Sequence, residues 1–325
     1  MEFSRVQLLE AQRSVDREKP IAAGVERYLR ASQAANTTRA YRSDWEQFQA
    51  FCQETEQDAL PASPETVATY VAGLALGGRK TWTILRRLSG ISVAHQAAGH
   101  PSPTRSVLVR KTVAGIKRTQ GMDERQATPL MPRELRAIIR ALPLDTLAGK
   151  RDRAILLLGF YGALRRSEIA ALEVADITEV EQGLRVRIGR SKSDQVGAGR
   201  EVGVPKRRRD EFCPVAAVTD WLSRSGLGTG PLFRSVTKHG ELGLGPLSGQ
   251  AVAAIVVRSA ARSGLIDADY SGHSLRAGFA TAAAEGGAPE RAIMAQTGHR
   301  SVQMVRKYIR SGSLFRENAA DFIRL

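Results

Sequence analysis

Apolar residues recur at helical spacing along residues 37–54. Tyr41, Trp45, Phe48 and Cys52 fall three or four apart, which gathers them on one stripe of a helix and turns Arg39, Arg42 and Asp44 to other faces. Asn36 precedes this run as a cap, because its short side chain can accept from the first unpaired backbone N–H groups. Ser63, Pro64 and Glu65 announce a second helix, with proline at the first helical position, where its missing N–H is not needed. That helix passes through Val67, Tyr70 and Val71 and ends at Gly77-Gly78; residues 80–99 and 104–118 add two more helical stretches, both basic. Short helices with few strand signals predict a small all-helical domain.

The pattern lapses over residues 119–134, TQGMDERQATPLMPRE, a mixture of glycine, proline and polar residues that reads as an exposed linker feeding a new helix near Pro132. Beyond it, residues 151–177 hold an apolar cluster interrupted at Gly162, which predicts a buried helix, a turn and a second helix from about Arg165. Alternation in residues 183–191 and 200–205 predicts two strands joined by residues 192–199. Helices fill most of residues 212–325, interrupted around 225–233 and 239–249. The expected fold is multidomain and mainly α: a tail over 1–19, a helical domain over 20–120, a linker over 121–131, and a mixed α+β domain over 132–325.

With 42% hydrophobic and 25% charged residues the chain has the composition of a folded protein, and its formal net charge of +15 directs attention to polyanions. Residues 1–120 carry 17 Lys and Arg against 11 Asp and Glu, a net of +6 that leaves +9 for the remainder. Charge so spread suits two domains touching one long anion, nucleic acid before membrane. No apolar run reaches the roughly 18 residues of a membrane span. The segment MEFSRVQLLE lacks the basic and apolar regions of a signal peptide, so a cytoplasmic location is expected. Cys52 and Cys213 are too few for a tetrahedral zinc site and read as buried free thiols.

Cleaving a DNA phosphodiester without metal takes a nucleophile, cationic donors around the nonbridging oxygens and an acid for the leaving 5′ oxygen. The second domain holds candidates for each. In HSLR, residues 273–276, a spacing of three puts His273 and Arg276 on one helical face, able to address one phosphate. Arg165 and Glu168 are also three apart, so the carboxylate can hold the guanidinium; nothing in the charge itself says whether Arg165 or Arg166 turns inward, although Leu164 and Ile169 mark a buried side. Lys192 sits between the two predicted strands, where a hairpin can carry an ammonium to a phosphate. His299 stands nine residues before Tyr308, enough chain to fold back and bring both rings to one site. Taken singly, each has a plain reading: a helix-start hydrogen bond, a surface ion pair, a turn lysine, a packing tyrosine. The run Lys206, Arg207, Arg208 and Arg209 can likewise hold a phosphate backbone or simply be solvated.

The joint order of these residues resembles the tyrosine recombinases, or phage integrase family, with the Cre-like and Xer-like enzymes among them. In that pattern Arg165 of LRRSEI matches the first catalytic arginine and Glu168 its supporting acid, Lys192 the hairpin lysine, His273 and Arg276 the HxxR box, His299 the histidine-or-tryptophan position, and Tyr308 the nucleophile. The resemblance implies a helical core-binding domain followed by a catalytic domain. It implies attack by Tyr308 to form a 3′-phosphotyrosyl link, with charge stabilised by Arg165, Arg276, His273 and His299 and the leaving oxygen protonated by Lys192. Strand exchange then runs through a Holliday junction, and because ester energy is retained, no cofactor or metal is implied.

The resemblance further implies a partner, double-stranded DNA with short inverted binding arms, gripped by a homotetramer on two sites, the protein being a monomer when free of DNA. Residues 313–325 offer Leu314, Phe315, Ala319, Phe322 and Ile323 on a terminal helix that docks on a neighbouring subunit, or packs within its own chain. Arg86, Arg87, Arg110, Lys111, Lys117, Lys206, Arg207 and Arg208 are the candidate DNA contacts. A type IB topoisomerase, which relaxes supercoils by the same tyrosyl chemistry, and a DNA-binding protein without catalysis are the competing readings.

Overall fold

The structure, a computed structural model, describes residues 35–122, 127–189, 199–207, 211–299 and 301–312. Lys192, Arg208 and the two expected terminal segments, 1–19 and 313–325, lie outside the described residues. The chain divides into two compact units, Met1–Arg125 and Gln126–Leu325.

The first unit is helical. Helix α1 covers Ala35–Glu54, α2 Pro64–Leu76, α3 Thr81–Ala97 and α4 Val107–Gln120, the last preceded by a 3-10 turn at Pro103–Arg105. Asn36 lies inside α1 rather than capping it. Ser63 caps α2 as its sequence predicts, its Oγ accepting from the Thr66 amide at 3.0 Å, an arrangement worth about 1 kcal/mol. Ser106 caps α4 in the same way through the Val109 amide. α1 packs on α3 and α2 on α4, closing a core of Phe48, Val67, Val71, Ile84, Ile91 and Val109, with the rings of Phe48 and Tyr70 edge to face at 5.1 Å.

Polar residues depart from the expected faces here. Asp44 is fully buried, and it draws Arg87 in with it. The Arg87 guanidinium, 7% exposed, donates to the Tyr70 hydroxyl at 2.8 Å and to Gln47 Oε1 and lies 3.9 Å from Asp44, while Arg86 reaches the same carboxylate from the surface at 3.0 Å. Arg87, expected among the DNA contacts, is therefore spent inside the domain: an isolated buried carboxylate is so costly that the neighbouring helix must supply a cation.

The second unit is built around α6, Leu147–Tyr161, whose residues Ala154 to Phe160 are all buried. Helix α5 is Pro132–Arg140 and α7 Arg166–Ala171. Strands β1, Ile177–Val180, β2, Gly183–Ile188, and β3, Arg200–Pro205, form an antiparallel sheet in the order β1-β2-β3, with Ile188 opposite Arg200. Helix α8, Pro214–Ser225, packs on α6. A small sheet of β4, Arg234–Val236, and β5, Leu242–Pro246, precedes α9, Gly249–Arg262. The chain continues through α10, Ser274–Glu285, α11, Glu290–Thr297, and α12, Val302–Gly312. No described helix is long and apolar enough to cross a membrane. Cys52 and Cys213 are buried free thiols, as expected.

Three features of this unit differ from the sequence pattern. β1 begins at Ile177, where the expected helical run ends, and its other residues fall in none of the expected elements, while β5, LGLGP, has the composition of a loop; both become strands because partners satisfy their backbone groups. The end of the expected linker is also no exposed connection. Thr128 and Leu130 donate backbone hydrogen bonds to Asp269 and Ser274, and Leu130 is buried in the main core. It lies so close to α10 that a β-carbon at Gly278 would fall 1.9 Å from the Leu130 carbonyl oxygen.

Replacing Arg87 by alanine opens a cavity, removes the hydrogen bonds to Tyr70 and Gln47 and leaves the buried Asp44 carboxylate with Arg86 alone, and is expected to cost the first unit about 3 kcal/mol. Amide exchange in α1 and α3, read by mass spectrometry, should then accelerate by about 100-fold. Lys111→Ala, at an exposed position, should leave exchange unchanged, and equal exchange in both variants would refute the structural role of Arg87.

Candidate active site

The approach to α10 is a tight turn. Its geometry is set by side-chain caps: the Ser271 amide donates to Ser274 Oγ at 2.9 Å and the His273 amide to Ser271 Oγ at 3.2 Å. The turn is closely packed at Gly272, where an added β-carbon would lie 2.8 Å from Cδ of Arg166 and 3.1 Å from the β-carbon of Ala253. One turn into the helix, Arg276 has no exposed surface, yet only Nη1 finds a protein acceptor, the Ala163 carbonyl at 2.8 Å. Its Nε and Nη2 are buried without one.

The carbonyl that anchors Arg276 belongs to a strained turn between α6 and α7. Ala163 has φ 48°, a left-handed conformation unfavourable for a residue with a β-carbon. The turn delivers Arg165 to the start of α7, where Glu168, 5% exposed, binds it twice: Oε2 accepts from the Arg165 amide at 2.9 Å and Oε1 from its Nη1 at 2.6 Å. Arg166 faces solvent, so the structure resolves which of the two arginines turns inward. Oε2 of Glu168 also accepts from Nη2 of Arg200, on β3, at 3.2 Å.

Tyr308 arrives on α12. This helix is held by Val305, which packs with Ala280, Ala284 and Ile293, and by an ion pair from Arg306 to Glu290 at 2.9 Å. The Tyr308 hydroxyl lies 2.8 Å from Nε2 of His273, and the His299 ring stacks on the Tyr308 ring with centroids 5.8 Å apart. His299 follows Gly298, which ends α11 in the left-handed conformation at φ 66°. The spacing of nine residues thus folds back as expected and brings His299 to Tyr308.

Positive charge dominates the electrostatics. Burial, reinforced by Arg165 and Arg200, pushes the Arg276 guanidinium down to about 10, which still leaves it charged at neutral pH. Burial, then the fields of Arg276 and Arg165, push His299 down to about 3, so its ring is neutral, and its buried Nδ1 has no protein partner. Unsatisfied buried donors each cost about 1–3 kcal/mol unless an acceptor joins them. A tetrahedral anion with oxygens for Arg276, Arg165 and His299 fits this deficit.

The site therefore brings together Arg165, Glu168, His273, Arg276, His299 and Tyr308. Among the other candidates, Arg110, Lys111 and Lys117 are exposed on α4, and Arg86 is exposed while paired with Asp44. Lys206 and Arg207 are exposed just after β3, with the Arg207 guanidinium 5.3 Å from the centre of the Tyr161 ring. Arg200 was not among the candidates. Its signal was the phase of β3, whose alternation places residue 200 on the inward face with Val202 and Val204. Among the described residues no group of three or more His, Cys, Asp or Glu is placed to hold a metal ion.

The His299 environment makes stability pH-dependent. Between its ordinary value near 6.5 and about 3, the unfolded chain takes up a proton that the folded site excludes, so stability is lost as pH falls through that window. The melting temperature of His299→Gln should consequently fall less between pH 7 and pH 4.5 than that of the native chain; parallel declines in calorimetry would contradict the buried neutral ring.

Comparison with known proteins agrees with this geometry. Residues 128–313 match the phage integrase family, and residues 25–100 match the phage integrase N-terminal SAM-like domain. An integrase/recombinase XerD homolog of Selenomonas ruminantium is 36% identical over 310 residues, covering 94% of this chain and 91% of its own. The recombinase Cre of Escherichia phage P1 is 28% identical over 284 residues, covering 81% and 80%. Among solved structures, a lambda integrase tetramer bound to a Holliday junction shares the fold with a TM-score of 0.59 at 17% identity, over 89% of this chain and 76% of that one. A family match over more than half of its residues, joined to a relative aligned along nearly its whole length, establishes that this chain belongs to the phage integrase family, the tyrosine recombinases.

Proposed function

We propose that this protein recombines DNA at specific sites by metal-independent transesterification, with Tyr308 as the nucleophile. The observation that carries the reading is the 2.8 Å contact between the Tyr308 hydroxyl and His273 Nε2 beside a buried arginine with unsatisfied donors. As the Tyr308 oxygen bonds to the scissile phosphorus, His273 is placed to take the phenolic proton. Arg276 and Arg165 hold the nonbridging oxygens, and neutral His299 adds a hydrogen bond. The bond from phosphorus to the 5′ oxygen breaks, and Lys192 protonates that oxygen as it leaves. The product is a 3′-phosphotyrosyl ester with a free 5′ hydroxyl. Attack by the 5′ hydroxyl of a partner strand reverses the step, regenerates Tyr308 and exchanges strands.

One tyrosine cuts one strand, so two duplexes need four sites. The Holliday-junction tetramer of lambda integrase and the recombinase names of the sequence relatives support a homotetramer on paired sites with inverted arms. Exposed Arg110, Lys111 and Lys117 in the first unit, with Lys206 and Arg207 in the second, supply salt-sensitive phosphate contacts. Action on DNA assigns the protein to the cytoplasm.

The test uses a library of nicked duplexes and recovers DNA in denaturation-resistant complexes without added metal. Tyr308→Phe should bind DNA with unchanged affinity and form no covalent complex. Arg276→Ala should slow complex formation by about 100- to 1,000-fold, the usual effect of deleting one transition-state donor. Covalent capture by the phenylalanine variant would refute the assignment of the nucleophile, and, with closed circular DNA as a second substrate, relaxation of supercoils without recombinant junctions would favour a topoisomerase.

A further inference from the structure

We propose that Arg200 is a positioning residue for strand cleavage, a clamp that shares the Glu168 carboxylate with Arg165 and fastens it to the turn bearing His299. The inference rests on the reading of this site as a tyrosyl-transfer centre.

Arg200 opens β3 on its inward face, where a guanidinium must find partners. Nη2 donates to Glu168 Oε2 at 3.2 Å, and Nη1 donates to the Gln296 carbonyl at 3.0 Å. Gln296 is itself fastened, its side-chain amide donating to the carbonyls of Tyr161 at 2.7 Å and Gly203 at 3.0 Å. Two residues on, the guanidinium lies against Gly298 so closely that an added β-carbon would be 2.9 Å from Nε. The next residue is His299. One planar fork thus joins the carboxylate that orients Arg165 to the turn that orients His299.

The charges show why the link matters. Among the described residues Glu168 is the one carboxylate paired with both Arg165 and Arg200. Without Arg200, Oε2 of Glu168 keeps only the Arg165 amide, and the pull of the carboxylate on the Arg165 guanidinium is no longer divided. The turn at 296–298 loses its strand anchor in the same step. Neither change removes a group that touches DNA, so the cost falls on the rate at saturating DNA. Lysine is a poor substitute because one ammonium cannot span two acceptors in the plane of a fork.

Single-turnover cleavage of a nicked duplex, site binding by gel shift and thermal melting should be measured together for Arg200→Ala, Arg200→Lys and Arg200→Gln. Misplacement by about an ångström can cost about 100-fold, so Arg200→Ala is expected to cleave about 30-fold more slowly at saturating DNA with affinity within about 3-fold. Arg200→Lys should regain part of the rate. If both residues act through one contact, Glu168→Gln combined with Arg200→Ala should be no more than about 3-fold slower than the slower single variant. Wild-type cleavage by Arg200→Ala, a loss confined to affinity, or losses that multiply in the double variant would each overturn the proposal. Should Arg200→Ala fail to fold, Arg200→Gln, which keeps a donor for the Gln296 carbonyl, is judged by the same criteria. Absence of a covalent complex with the native chain would instead refute the functional reading itself.

Discussion

Glu168 is a single buried carboxylate set against three guanidinium groups, those of Arg165, Arg200 and Arg276. The interior behind Tyr308 consequently carries an excess of positive charge, in surroundings where charge is screened weakly. Such an arrangement is unfavourable by itself, as the depressed Arg276 and His299 show. It persists because the scaffold around it is rigid: α6 is buried along most of its length, and the strained Ala163 turn is fixed between α6 and α7. In the proposed reaction a phosphodiester supplies the missing negative charge, and the negative charge that builds up during attack is stabilised further. The fold thus carries a local instability that its substrate relieves, which is the electrostatic preorganisation that lowers a barrier without reorganising the protein.

Tyr308, the proposed nucleophile, is attached differently from the arginines. Arg276 lies at the start of a helix packed into the main core, whereas Tyr308 sits on α12, whose described apolar attachment is a separate and smaller cluster of Ala280, Ala284, Ile293 and Val305, with Ala283, Ala288, Met294 and Tyr308 packed against it. Fewer buried contacts mean a lower free energy of local opening. The proposed phosphate-binding groups are thus held by the main core, and the proposed nucleophile by a separate cluster beside it. Arg200 is held by the same rigid scaffold without itself being one of the phosphate-binding groups: it is drawn into the interior by Glu168, and through Gln296 it braces the turn at the end of α11.

Helices were legible in the sequence wherever local chemistry determined them. The Ser63 cap before Pro64, the apolar stripe from Tyr41 to Cys52 and the polar approach to His273 each concern groups a few residues apart, and each has its expected element. β1 and the β4–β5 sheet were not legible, because a short strand depends on a partner supplying hydrogen bonds. Likewise, Leu130 reads as linker until the surface of α10 at Gly278 receives it.

By itself, the sequence determined the two-part organisation, the basic character and the order of Arg165, Glu168, His273, Arg276, His299 and Tyr308, since covalent spacing and side-chain chemistry are written into it directly. Tertiary structure decided which cations do what. Arg165 and Arg166 are adjacent and chemically identical, yet Glu168 turns one inward. Arg86 and Arg87 differ only in phase and both reach the buried Asp44, but Tyr70 and Gln47 hold Arg87 inside while Arg86 stays at the surface. Arg200 enters the site because strand pairing carries it to a carboxylate 32 residues earlier in the chain. A charge has no intrinsic inside or outside; its location is set by the balance between desolvation and a partner, and the partner is supplied by the fold.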